Sequence, residues 1–107
     1  MFYDQYEMLK LKFKTFNLIA NCLNKKLRIN ESLSYLIKAN EVAVQALDWE
    51  QRGNLNASSR LSGSEWMQRG LAETHFNIAS GLAYLKNYQE ALNFLQHSKE
   101  FALTAIS

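Results

Sequence analysis

The side chains able to carry chemistry in this chain are few, and their spacing removes most reaction classes. There are two histidines, His75 and His97, and one cysteine, Cys22. A metal site needs three or four ligands at short separations, and these residues are too far apart to supply them. A lone cysteine has no disulfide partner, which suits a reducing compartment. Cys22 falls on an apolar stripe, so it is expected to be a small core residue. No glycine-rich phosphate loop is present, and no Ser/His/Asp set stands out. No catalytic residue, metal or cofactor is therefore assigned. Two groups remain to be placed: Arg69 and His75, with five residues between them, and a scatter of asparagine, lysine and aromatic side chains between Lys14 and Tyr84. What they do depends on the elements that carry them.

Those elements are helices. Phe2, Tyr6, Leu9, Phe13, Phe16, Ala20 and Leu23 alternate four and three residues apart, which predicts a first helix from about Asp4 to Lys26. After a short turn, Ile29, Leu33, Leu36, Ala39, Ala43 and Leu47 form the stripe of a second helix, about Asn30 to Arg52, with Tyr35, Val42 and Trp49 on its flank. The stretch Arg52 to Gly63, RGNLNASSRLSG, reads as a flexible loop. Ser62 followed by Glu65 has the form of a capping box and predicts a third helix from Gly63 or Ser64. Its stripe is Met67, Leu71, Ile78, Leu82 and Leu85, with Thr74 and His75 filling the gap. Asn87 and Glu90 repeat the capping signal. A fourth helix follows, with Ala91, Leu92, Leu95, Ser98, Ala102 and Ile106 expected on its inner side. Helices joined by two or three residues fold back as antiparallel pairs, and Ala79, Gly81, Ala83 and Ala91 let the second pair approach closely. The expected fold class is all-α: one domain of two antiparallel helical hairpins.

The two hairpins echo one another. Shifting the chain by 59 residues sets Phe16 to Leu47 against His75 to Ile106, and nine of the 32 pairs are identical: Ile19/Ile78, Ala20/Ala79, Leu23/Leu82, Glu31/Glu90, Leu33/Leu92, Leu36/Leu95, Glu41/Glu100, Ala43/Ala102 and Ala46/Ala105. Counted from Ala72, the residues His75, Ile78, Ala79, Leu82, Tyr88, Ala91, Leu95 and Ser98 fall where a tetratricopeptide repeat places its large and small core residues. The chain thus resembles the tetratricopeptide family. It would hold two divergent repeats, about 13–47 and 72–106, separated by a lengthened helix and the 52–63 loop.

The resemblance implies right-handed stacking of the hairpins and a non-catalytic scaffold that binds a protein or peptide on its concave helical face. The family's ligand-facing positions carry Lys14, Asn17, Leu18, Asn21, Asn24 and Lys25 from the first repeat. From the second they carry Glu73, Phe76, Asn77, Ser80, Ala83 and Tyr84. Asparagine amides can hydrogen-bond both edges of an extended peptide, Lys14 and Lys25 could meet a carboxylate, and Phe76 and Tyr84 offer apolar contact. Asn21 and Asn77 also match the clamp asparagines of the family's chaperone-binding members.

A second resemblance is to the HEPN ribonucleases, small helical dimers with an Arg and a His at similar spacing on one helix. It implies phosphodiester cleavage, with His75 moving protons and Arg69 steadying the charge that builds on the phosphate. Burial of His75 among core residues would favour the scaffold; exposure beside Arg69 would favour the nuclease.

Composition narrows the partners. Of the twelve basic residues eight precede Gly53, as do six of the ten acidic ones, so the halves differ by only +2 and nucleic acid is not an expected partner. No apolar run approaches the roughly 18 residues of a membrane span, and the N-terminus lacks the pattern of a signal peptide. A cytoplasmic protein without membrane contact is expected. Two repeats bury less than the usual three. Phe2, Tyr3, Tyr6 and Leu9 must find cover on the lengthened second helix or on another copy of the chain, and with Trp66 they are otherwise excess apolar surface, so a homodimer is expected too.

Overall fold

The computed structural model describes the backbone of residues 2–51 and 57–107, and the side chains of residues 5–50 and 65–107. The described backbone forms four helices: α1 Phe2–Lys25, α2 Ile29–Gln51, α3 Ala57–Tyr84 and α4 Tyr88–Ile106. They pack in chain order, α1 on α2, α2 on α3 and α3 on α4, giving two helical hairpins side by side. The all-α class and the paired helices are as the periodicity predicts.

The two hairpin turns are built alike. At the end of α1, Leu27 N–H donates to Asn24 O (2.9 Å) and Arg28 N–H to Leu23 O (3.0 Å). At the end of α3, Lys86 N–H donates to Ala83 O (2.9 Å) and Asn87 N–H to Leu82 O (2.8 Å). Every donor and acceptor in the second turn lies 59 residues after its counterpart in the first. Leu27 (φ 59°) and Lys86 (φ 65°) take the left-handed conformation that these caps require. That conformation costs a residue with a Cβ about 1–2 kcal/mol, which the closed helix ends offset. The helices after the turns open alike as well. Arg28 grips Glu31 through two 2.7 Å hydrogen bonds, and the Asn87 amide donates to the Glu90 carboxylate at 3.1 Å. Asn87 therefore makes no side-chain cap to the backbone of α4, and the expected capping box is replaced by this side-chain pair.

The core lies where α2 is covered on both sides. Tyr6 and Phe13 of α1, Ala39, Val42, Ala43 and Ala46 of α2, and Met67 and Leu71 of α3 form one buried cluster. Ala20, Leu36 and Ile78 form a second, nearer the turns. Alanines 39, 43 and 46 have no exposed area. Small residues there let α3 cross α2 closely, so large side chains such as Met67 and Leu71 can fill the space without a void. Gly81 completes this crossing: a Cβ on it would lie 2.9 Å from Leu33 Cδ2. Gly81 thus serves the α2–α3 contact, whereas Ala79 and Ala91 are buried as the α3–α4 pairing requires.

Three expectations are corrected, and one choice left open is decided. The third helix starts at Ala57, about two turns earlier than Gly63, so Ser62 lies inside it and does not cap it; residues 52–56 of the expected loop lie outside the described residues. Tyr6 is buried and Leu9 and Trp66 pack against the first cluster, so this surface is used inside the chain; the side chains of Phe2 and Tyr3 are outside the described set. Cys22 is exposed, not a core residue. The inner face of α4 is also rotated from the expected one. Ala91, Phe94, Ser98, Phe101 and Ala105 face α3, while Leu92, Leu95, Ala102 and Ile106 are exposed. Two apolar seams lie one residue apart on this helix. The aromatic one wins because it buries more area, stacks on His75 and lets Ser98 Oγ donate to Ala72 O at 2.8 Å.

Candidate peptide groove

The groove is a consequence of how α1 and α3 meet. They approach through side chains, and one contact is the Phe13 ring lying over Gly70, where a Cβ would come within 2.7 Å of Phe13 Cε2. The other is Asn17, whose amide donates to Phe13 O on its own helix (3.0 Å) and accepts from Thr74 Oγ1 on α3 (3.2 Å). Above this floor the helices diverge and leave a cavity of about 440 Å³.

Its walls carry much of the set that the sequence selects. Lys14, Asn17, Leu18 and Asn21 line it from α1, and Glu73 and Asn77 line it from α3. Asn17 is a tie between helices: its donor and its acceptor are both engaged, which leaves it little to offer a ligand. Asn21 is exposed and Asn77 half-buried, and both amides face the cavity without an engagement of that kind. Phe76 turns away from the groove into a neighbouring hollow with Ala72 and Ser98. Asn24, Lys25, Ser80 and Tyr84 are exposed toward the turn end of the two helices.

The far end of the groove holds residues that sequence reasoning missed: Trp66, Arg69 and Gly70, together with Phe13. Trp66 meets Phe13 edge to face at 5.4 Å. Lys10 and Lys14 place their ammonium groups 5.2 and 5.6 Å from the Trp66 ring, a geometry worth about 0.5–1 kcal/mol at an exposed site. Glu7 lies 3.9 Å from Lys10 and partly balances it. The groove therefore has a cationic, aromatic end and an amide-lined end, with Glu73 between. The shared spacing of Phe13, Asn17 and Gly70, Thr74 along two helices was the only sequence signal for this floor.

His75 stands on another side of α3. It is 7% exposed, and its Nδ1–H donates to Leu71 O at 2.8 Å, since a carbonyl can only accept. The rings of Phe101 and Phe94 lie 5.0 and 5.6 Å away, and His97 meets it edge-on at 6.0 Å. His75 lines a cavity of about 550 Å³ with Asn40, Leu71 and Phe101, whereas Arg69 lines the groove. The two do not converge on one space within the chain.

Burial lowers the His75 pKa, against the raising effect of the Leu71 carbonyl, and the nearby His97 lowers it further. A base whose folded pKa is depressed contributes stability above its unfolded value, about 6.5, and loses it as pH falls through the folded value. The thermal midpoint should thus fall between pH 7 and pH 5, and His75→Phe should flatten that slope. Equal slopes in both proteins, measured by circular dichroism melts, would refute this.

Among the described residues no helix is long and apolar enough to cross a membrane. Comparison with protein-family models, with curated proteins and with solved structures finds no match to this chain.

Proposed function

We propose that the chain is a tetratricopeptide-like scaffold without catalytic activity, and that its α1/α3 groove holds an extended segment of a partner protein. The observation that carries this is the groove itself: Lys14, Leu18, Asn21 and Asn77, selected from the repeat pattern, line one cavity with Trp66 and Arg69. An extended peptide has unpaired N–H and C=O groups along both edges. Asn21 from α1 and Asn77 from α3 line the cleft as donors and acceptors for them, and the Lys14, Arg69 and Trp66 end suits an acidic or apolar side chain. The 59-residue repetition of the turns supports the two-repeat reading. The free Cys22 suits a reducing compartment such as the cytoplasm. We include self-association in this reading, because α4 leaves large apolar side chains uncovered. No observation favours the ribonuclease reading, since Arg69 and His75 line separate cavities.

The test is capture of partners from the native lysate by the wild-type chain and by the double variant Asn21→Ala/Asn77→Ala, followed by titration of the captured partner's peptide. Each lost amide is worth about 1 kcal/mol, so affinity should drop about tenfold or more. Trp66 fluorescence should respond to the peptide in the wild type. Unchanged affinity with a silent Trp66 would move the site elsewhere.

A further inference from the structure

The 59-residue shift pairs α1 with α3 and α2 with α4, and it can be used to compare surroundings as well as residue types. On α2, Ile29, Leu36 and Ala43 are 5%, 2% and 0% exposed, on the side that α3 covers. Their counterparts on α4 are Tyr88, Leu95 and Ala102, and all three are exposed, as are Leu92 and Ile106 beside them. On α3, Met67 and Thr74 are fully buried and Gly81 packs on Leu33. Their counterparts on α1 are Met8, Thr15 and Cys22. Two of the three are the same residue type, and all three are exposed. The chain therefore makes the α2–α3 joint, to which Thr74 adds its hydrogen bond to Asn17 of α1, and carries residues like both halves of that joint again, unfilled, on α4 and on α1.

We propose that a second copy of this chain seats its α1 on α4 of the first, repeating the α2–α3 joint, so that copies stack head to tail. The occupant is argued from the match: the surface that α4 offers is the one α2 offers, and α1 presents residues of the kind α3 uses to fill it. Such a contact is heterologous, and one copy keeps an open end at each side. It is separate from the peptide groove and does not rest on that reading. Cys22 stands where α3 has the Gly81 that Leu33 packs against, so the facing Leu92 must make room for a side chain there, and two further departures set the strength of the joint. Lys12 stands where α3 has the buried Leu71, and Lys99 stands where α2 has Asn40. Two cations at the joint weaken it, and salt, which screens them, should strengthen it.

Sedimentation velocity of the full chain at rising concentration, up to about 1 mM, tests this. The mean mass should climb past that of a dimer, and further in high salt. Leu92→Asp removes one half of the joint and Met8→Asp the other, both at exposed positions where helix content by circular dichroism should be unchanged. Each variant alone should be monomeric, and an equal mixture should form a heterodimer through the one intact pair of faces. Lys12→Leu should tighten association about tenfold. A wild-type chain that stays monomeric overturns the proposal. So does self-association that survives in either Asp variant, which would signal a symmetric pair using one face only, or a mixture that fails to pair.

Discussion

Replacing Leu71 with alanine is expected to destabilise the protein by about 2–5 kcal/mol. Leu71 is 2% exposed and sits with Met67 against Ala39, Ala43 and Ala46. Those alanines are small because α3 crosses close to α2, and a short side chain at position 71 would have no neighbour large enough to move into the space. The loss therefore includes a cavity as well as the transfer of the missing methyl groups. A domain of this size has a total stability of about 5–15 kcal/mol, so the variant should melt far below the wild type or be only partly folded at 37 °C. Leu103→Ala is the control, since Leu103 is 52% exposed on α4. Chemical denaturation read by circular dichroism compares the two. A Leu71→Ala loss of under 1 kcal/mol would mean that the α2–α3 crossing is not the centre of the core.

The second large effect is expected from Gly81→Leu. A Cβ at this position meets Leu33 Cδ2 at 2.9 Å and Leu33 Cγ at 3.2 Å, with Ile29 Cγ2 at 3.5 Å. Alanine should be nearly neutral. It gains about 1 kcal/mol of helix propensity, and the Leu33 methyl is the movable end of a flexible side chain. A leucine places three more carbons into the same gap, and overpacking of this kind costs about 1–3 kcal/mol. Here the strain falls on the larger of the contacts between the hairpins, so each hairpin should survive while their contact loosens. The expected result is retained helix content with faster amide exchange at Ile29, Leu33 and Leu36, and a broadened melt. Wild-type exchange at those residues in Gly81→Leu would show that the hairpins are not joined there.

Much of this architecture could be read in advance, for identifiable reasons. Tyr6, Phe13, Ala20, Ile29, Leu36, Ala39, Ala43, Met67, Leu71 and Ile78 occur at three-, four- and seven-residue steps within their helices, and each helix that has a single apolar stripe must bury it. The repeated turns were legible because the residues that flank them, Leu23/Leu82 and Glu31/Glu90, recur at a fixed shift. On α4 the same reasoning chose the wrong side. That helix has two candidate stripes, and the periodicity of Leu92, Leu95, Ala102 and Ile106 matches that of Phe94, Ser98, Phe101 and Ala105. Cys22 misled in a similar way, because its counterpart Gly81 is covered by α2 and Cys22 has no such neighbour. Half of the groove was anticipated from the repeat pattern. The Trp66 end was not, since the repeat is counted from Ala72 and gives no ligand-facing position to Trp66 or Arg69, which precede it on α3.

The order of apolar and polar residues determined by itself that this chain is helical, where its hairpins turn, and that its halves share one plan, because helix geometry and turn chemistry act over a few residues. Which of two seams α4 buries, whether Asn17 ties helices or meets a ligand, and which surfaces stay open were decided only by tertiary packing. Those outcomes depend on which side chains compete for the same space, and that competition is between residues distant in the chain.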